Sequence, residues 1–532
     1  MNQETNTDVI IVGGGPVGLS LAAFLTRFNV QCVVLEKDAG TTEHPRSRGL
    51  TVRTMEQFRQ LGIGDAIRAG GLPAETDVFW VCESVTGKVY GVTNPAPVTV
   101  HSPTTKCMVG QDVVQSVLAD HLAERGVNVR WSTQALSFET SDDSVTLTTQ
   151  QADGTHSTVI GQFLVAADGA SSDVRHQLDI PMSGPDELGR FANHLMEADL
   201  SHHPVTRQAG MFIVASPDRE RPNRERGHFV LNGNGKDRWL VVQPITSDTE
   251  IMAPAEVETW TAELLGISAS DVRFINSATW RMSAQVAARF SEGRVMLCGD
   301  AAHRFPPTGG FGLNSGVQDA HNLAWKLAFA VRNWAGESLL PSYETERRPV
   351  AVSNTSWSLS NSQRITTKLV PTLQSDREAW EAFMIDFDNH LHSEGQALGP
   401  CYASQVIDAG NEPAIHNARY YHPSDAPGGR FPHMWLDSER QDSTLDWFDD
   451  QLVLVCRESY SSWQVLAQQA AEDIGIPVAV KQLPFGTSYS SIDQQGAVLV
   501  RPDGYVAWRT SNQPEALQDE LTKAVSMSVG QL

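Results

Sequence analysis

Val9-Ile10-Ile11-Val12-Gly13-Gly14-Gly15-Pro16-Val17-Gly18 is the stretch on which the fold turns. Four apolar, mostly β-branched residues form a short strand that runs straight into G-x-G-x-x-G and a helical segment over residues 16–28. Residues 31–36 form a second apolar strand, so the stretch 9–36 reads as a βαβ unit. Gly13 makes the tight turn, Gly15 lets backbone N–H groups approach a pyrophosphate, and Gly18 permits close packing of helix on strand. Glu36 ends the second strand 18 positions after Gly18, near the roughly 20 expected of a carboxylate that holds a ribose hydroxyl. A glycine-rich turn alone is a weak signal. Strand, helix and acid in register point to a bound dinucleotide.

Outward from this unit, residues 51–61 and 112–125 read as helices and 127–131 as a strand. Residues 145–149 and 157–165 form a hairpin around Asp153-Gly154, a preferred turn pair. From 182 to 282 the texture changes to short strand-like runs (209–215, 228–231, 238–244) followed by a helix over 255–265. Helical texture returns with a long segment at 315–334, and Pro341 and Pro349 are expected to punctuate the helices beyond it. After 399 comes a loop-rich stretch, then a strand (452–456), a helix (463–472) and a hairpin around Pro502-Asp503-Gly504. The expected fold is α/β. A Rossmann-like dinucleotide domain (1–181 with 283–398) carries an inserted sheet-rich domain (182–282), and a β/α domain follows (399–532).

The 532 residues hold 40 Lys and Arg against 63 Asp and Glu, a net charge of −23. Such a chain repels phosphate backbones and anionic lipid, so nucleic acid and membrane are not expected partners. No C-x-x-C occurs among the six cysteines, which suit neither a disulfide framework nor a zinc site, and no metal is expected. The polar, acidic N-terminus and the absence of about 20 consecutive apolar residues make the cytoplasm the expected compartment.

Two further strands deliver turns that carry chemistry. Phe163-Leu-Val-Ala-Ala-Asp168-Gly169 leads to Ser172 and Arg175, and Gly293-Arg-Val-Met-Leu-Cys-Gly299-Asp300-Ala-Ala-His303 leads through Pro306-Pro307-Thr-Gly309-Gly310-Phe-Gly312-Leu313-Asn314. In this order, after the N-terminal fingerprint, they resemble the flavoprotein aromatic hydroxylases of the para-hydroxybenzoate hydroxylase type. The stretches Gly-Val-Gln-Asp-Ala-His-Asn-Leu-Ala-Trp-Lys326 and Leu340-Pro-Ser-Tyr-Glu-Thr-Glu-Arg347-Arg348-Pro349 extend the likeness. Ala426-Pro-Gly-Gly-Arg430 and Leu499-Val-Arg501-Pro-Asp-Gly resemble the thioredoxin-like C-terminal domain of members acting on phenols and aromatic polyketides.

The resemblance implies non-covalent FAD, with NAD(P)H and O2 as co-substrates and a C4a-hydroperoxyflavin that hydroxylates an aromatic ring. It implies that Asp300 binds the ribityl chain and that Arg46 and Gln111 touch the cofactor. Asp168 and Arg175 match a motif shared between FAD and NAD(P)H. Pro16, Val17 and Lys37 join the cofactor set, as do Pro307, Gly312, Leu313 and Asn314. Residues 310–314 precede a helix, so their N–H groups can stabilise negative charge on the flavin ring. Arg48 stands where the family more usually has a small residue, which leaves two arginines for one phosphate contact. The substrate is expected between the middle sheet and the flavin, near Pro306, Gly309 and Gly310, with His228, Arg238 and Trp239 as candidate wall residues. No side chain is assigned as a catalytic acid or base; His303 is expected to pack near the flavin. The pairs Asp446/Asp449 and Glu344/Glu346 read as solvated faces, and the tail, lacking C-x-x-C, is expected to have no redox role. A Baeyer–Villiger oxygenation on the same scaffold and a non-catalytic flavin-bearing binding protein remain alternatives, and a homodimer is compatible with the likeness.

Overall fold

The computed structural model describes residues 4–95, 98–218, 227–246, 251–408, 417–484, 496–514 and 517–532. Its first sheet runs Ser291–Glu292, Val295–Leu297, His156–Ala166, Glu4–Val12, Cys32–Leu35, Asn128–Arg130, with Thr133–Thr140 and Val145–Gln151 added through the hairpin. Glu4–Val12 is parallel to both neighbours, Val9 standing opposite Phe163 and Cys32. Val9, Ile10 and Ile11 are wholly buried, as a parallel strand covered on both faces requires. The helix Pro16–Arg27 starts on a proline, whose missing N–H costs nothing in a first turn. A Cβ on Gly18 would fall 2.0 Å from Gly13 O, so only glycine lets this helix lie so close to the strand.

The second sheet is seven-stranded: Arg273–Met282, Gly189–Glu197, Arg238–Ile245, His228–Asn232, Met211–Val214, Phe79–Cys82, Val89–Val92. It is not confined to residues 182–282. Phe79–Cys82 pairs in parallel with Met211–Val214, and its hairpin partner Val89–Val92 forms the edge. These four-residue strands carry no turn signal strong enough to mark them as part of a distant sheet. One face packs Met196, Trp239 and Val241 against Val257, Leu264 and Leu265 of the helix Pro254–Leu265. The other face turns toward the first sheet.

The helix Phe311–Val331 is buried along nearly its whole length and packs on Pro16–Arg27. Beyond it, Ser342–Leu373 is a single helix with Pro349 and Pro371 inside it, where a break at Pro349 was expected. Pro349 and Thr345, whose carbonyl loses its intrahelical donor, are both exposed, so water can replace the lost hydrogen bond.

The tail contains a four-stranded sheet, Val478–Gln482, Leu452–Cys456, Ala497–Val500, Val506–Thr510, with the helices Tyr460–Ile474 and Gln518–Ser528 packed together. It is joined to the rest of the chain by buried charge. Glu346 is not on a solvated face. It accepts from Lys326 Nζ at 2.8 Å and from Nη1 and Nη2 of Arg501, and all three side chains are shut off from solvent. Helical spacing alone cannot reveal this, because the partner Arg501 is 155 positions away. Asp446, by contrast, is exposed as expected and pairs with Arg59 at 2.9 Å, while the half-buried Glu344 accepts through Oε2 from Phe290 N at 2.7 Å.

Candidate active site

A cavity of about 2270 Å³ lies between the first two sheets. That is more than twice the volume of an ordinary small-ligand pocket, roughly 300–1,000 Å³. One end is built from the fingerprint loop. Gly14 N donates to Glu36 Oε2 at 2.6 Å, Asp38 N donates to Glu36 Oε1 at 2.9 Å, and Gln115 Nε2 donates to Gly14 O at 2.7 Å. Gln115 had no sequence signal: it is one polar residue in a mixed helix, and only the fold brings it 101 positions back. A Cβ on Gly15 would meet nothing within 4 Å, so the loop backbone at this point faces open space. The N-terminus of the helix Pro16–Arg27 opens there, with its partial positive charge and unpaired N–H groups.

Gly13, Gly15, Pro16, Val17, Glu36, Lys37, Arg46, Gln111, Asp168, Asp300, Pro306, Pro307, Gly309, Gly310, Gly312, Leu313 and Asn314 all line this cavity. Gly18 lies beneath it as the spacer described above. Both arginines reach the wall. Arg48 is tethered, Nη2 donating to Gly233 O at 3.1 Å, and burial pulls its pKa down to about 10. Arg46 is exposed to the cavity.

Asp300 is exposed to the cavity yet surrounded by protein, and this burial raises its carboxyl pKa against the opposing charges of His303, Arg304 and Arg46. Its turn is held from below. Asp319 Oδ2 accepts from Gly299 N at 3.4 Å and lies 2.6 Å from His303 Nε2, while Asp319 Oδ1 accepts from Arg347 Nε at 2.7 Å. Burial alone would raise the pKa of Asp319, but Arg347 and His303 pull it below its usual value. His303 is wholly buried and stacks on Phe305 with ring centroids 4.6 Å apart. Asn314 clamps the neighbouring loops: its Oδ1 accepts from Thr51 N at 2.8 Å, and its Nδ2 donates to Gly310 O at 2.5 Å and Gly49 O at 3.0 Å. Gly310, at φ 68, caps the helix Phe311–Val331.

Asp168 Oδ2 accepts from Val174 N at 3.3 Å, while its buried Oδ1 has no partner among the described residues. Burial raises its pKa as well. Arg175 is not a wall residue. It is buried and donates to Ala301 O at 3.0 Å, which ties the Asp168 turn to the Asp300 turn.

The far end of the cavity is the inner face of the second sheet, with Phe191, Met211, Phe229, Leu231, Leu240, Val242 and Trp280. His228, Arg238 and Trp239 are not on it. Side chains alternate along a strand, so Leu240 and Val242 face the cavity while Trp239 faces the helix side, its Nε1 donating to Ala198 O at 3.0 Å. For the same reason Phe229 and Leu231 line the wall while His228 stands edge-on to Trp260. Arg238 is drawn to Glu197 at the strand end.

A family model of the FAD binding domain matches residues 6–358, and one of the aromatic-ring hydroxylase C-terminal domain matches residues 424–531. The chain belongs to the FAD-dependent aromatic-ring hydroxylases. This hydroxylase is 33% identical to tetracenomycin A2 monooxygenase-dioxygenase of Streptomyces glaucescens, over 97% of its own chain and 96% of the relative. It is 31% identical to 4-methyl-5-nitrocatechol 5-monooxygenase of a Burkholderia species, over 98% and 97%. Among solved structures, the flavin-dependent monooxygenase PieE, in complex with FAD and substrate, superposes with a TM-score of 0.91 at 29% identity, covering 99% of each chain.

The hydroxylase fits its cofactor. The open space at Gly15, the unpartnered Asp168 oxygen and the cavity-facing Asp300 are what a dinucleotide with an extended polyol would fill. Among the described residues no helix is long and apolar enough to cross a membrane.

Proposed function

We propose that this hydroxylase places one oxygen atom of O2 on a polycyclic phenol of the aromatic-polyketide type, with NAD(P)H as reductant. The observation that carries the reading is the continuous cavity, which joins the fingerprint loop to a broad apolar sheet wall carrying Phe191, Phe229, Leu240 and Trp280. By name the relatives include both substrate classes, tetracenomycin and aklavinone on one side and 4-methyl-5-nitrocatechol on the other, so the choice of a polycycle rests on the breadth of the apolar sheet wall.

In this reading the N–H groups of Gly15 and of the helix start hold the pyrophosphate, with Arg46 and Gln111 beside it, Lys37 at the rim and Glu36 on the ribose, while Gly13 N and Gly14 N shape the loop by donating to Leu35 O and Glu36 Oε2. Asp300 would take the ribityl hydroxyls, and the first-turn N–H groups of 311–313 would stabilise negative charge on the flavin ring, Gly310 N being already donated to Pro307 O. When bound, FAD accepts hydride from NAD(P)H and activates O2. The chain's own work is to hold the ring edge and the substrate in register and keep water out, so that oxygen goes to substrate instead of to hydrogen peroxide. No protein side chain need supply the oxidising power. The tail serves packing: Cys456 is buried on an interior strand, and burial raises its thiol pKa to about 12.

The test is NAD(P)H oxidation against a panel of polycyclic and single-ring phenols, with products analysed by mass and NMR. A hydroxylated polycycle supports the reading. Turnover of single-ring phenols only would contradict the substrate class, and a ring-expanded lactone would identify the Baeyer–Villiger outcome.

A further inference from the structure

The helix Ser342–Leu373 lays one face against the cavity, and two asparagines on that face are treated differently. Asn354 has both ends of its carboxamide engaged: Nδ2 donates to Ser315 Oγ at 2.8 Å, and Oδ1 accepts from Gln396 Nε2 at 2.5 Å. Asn361 stands seven positions on, two helical turns along the same face. It lines the cavity and is only 6% exposed, yet its Oδ1 is buried with no hydrogen-bond partner among the described residues. A carboxamide in such a place is costly unless something within the cavity pairs with it, and a leucine would fill the volume without that cost.

Its neighbours fix where it stands. Thr308 Oγ1 donates to Ser358 O at 2.7 Å, and a Cβ on Gly309 would come 3.6 Å from Ser358 Oγ. The loop 306–310 therefore rests on the helical turn just before Asn361. Ser362, the next residue, brings its Oγ to 3.8 Å from Met282 Sδ at the end of strand Arg273–Met282. Asn361 thus sits where the glycine-proline loop meets the sheet. The sheet wall of the same cavity offers Phe191 and Trp280, stacked 4.7 Å apart with planes at 22°, and Trp280 Nε1 is already taken by Asn193 Oδ1 at 2.8 Å. One wall offers flat area with its indole N–H satisfied, and Asn361 offers an amide that is not.

We infer that Asn361 is a specificity residue whose carboxamide pairs with a ring hydroxyl or ketone oxygen of a polycyclic substrate lying against Phe191 and Trp280. The inference rests on the proposed reading of this end of the cavity as the substrate compartment. A neutral amide donates to a ketone and accepts from a hydroxyl, so it selects oxygenated rings over hydrocarbons of the same shape. A site built to hydrogen-bond a substrate oxygen discriminates strongly against the analogue that lacks it.

The experiment uses the FAD-loaded protein and equilibrium dialysis with 1,8-dihydroxyanthraquinone and anthracene. Asn361→Leu should weaken the dihydroxyanthraquinone about tenfold, as expected for one lost hydrogen bond, and leave anthracene within about twofold. Asn361→Gln, which retains the carboxamide, should hold the dihydroxyanthraquinone more tightly than Asn361→Leu does, with FAD content and melting temperature equal in all three proteins. Equal weakening of both ligands would make Asn361 a packing residue only and overturn the inference, as would no change in either. A parent protein that binds neither polycycle overturns it too, while NAD(P)H oxidation with a single-ring phenol would leave the flavin-monooxygenase activity standing.

Discussion

Arg501 Nη1 lies 2.6 Å from Glu346 Oε1 and Nη2 lies 2.9 Å from Oε2, a two-pronged pair with no solvent access that joins the tail to the helix Ser342–Leu373. Lys326 on the helix Phe311–Val331 and Asp503 beside Arg501 complete the cluster. The helix that lines the cavity is thereby fixed to the tail through charges that have no water to fall back on.

Arg501→Leu should therefore destabilise the protein by about 3–5 kcal/mol, the usual result of stripping one partner from a buried pair. Urea unfolding of parent and variant measures it. A change below about 1 kcal/mol would mean the pair is not the junction described.

The same cluster sets an acid limb of stability. Burial alone would raise the pKa of Glu346, but Arg501 and Lys326 hold it well below the ordinary carboxylate value. A carboxylate depressed by folding contributes stability that is complete above its unfolded pKa of about 4.3 and is lost as pH falls toward the folded value. Stability should thus fall steadily from about pH 5 downward, and Glu346→Gln, though less stable at pH 7, should show a flatter acid limb. Parallel acid limbs in parent and variant would contradict this.

Asp300→Ala should retain the fold and lose FAD affinity about tenfold to a hundredfold, the worth of about 1.5–3 kcal/mol for a charge-assisted hydrogen bond. Flavin released on dilution, followed by fluorescence, reads it directly. Unchanged retention would remove Asp300 from the cofactor site.

Gly310 sits at φ 68 with Arg48 O, 4.0 Å away, as the nearest atom to a would-be Cβ, so Gly310→Ala strains the backbone without a collision. The loop 306–312 also holds Pro306, Pro307, Gly309 and Gly312, and we expect it to let the flavin respond to substrate. Anaerobic flavin reduction by NAD(P)H should be slow alone and much faster with substrate, and Gly310→Ala should blunt that difference more than it lowers FAD content. Equal rates with and without substrate in the parent would rule out such gating.

That Gly13, Gly310 and Asp300 gather at one end of the cavity was legible because their signals are local: a glycine at Gly13 or Gly310 is required by the positive φ of its own loop, and Asp300 follows its own strand. The substrate wall was not, because one residue of register decides it. Trp239 and Leu240 are both apolar strand residues, and only the pairing of Arg238–Ile245 with Gly189–Glu197 shows which faces inward. The fate of Glu346 was hidden for a related reason, since its partners Lys326 and Arg501 lie on other elements. The strands Phe79–Cys82 and Val89–Val92 were missed because a four-residue strand has too few alternations to announce the sheet it joins.

The most direct measurement is single-turnover oxidation of a polycyclic phenol by the FAD-loaded protein under 18O2, with NAD(P)H as reductant. One 18O atom is expected in each product molecule, and none when the label is supplied as H2 18O instead. NAD(P)H consumed with hydrogen peroxide as the only product, or label entering from water, would contradict it.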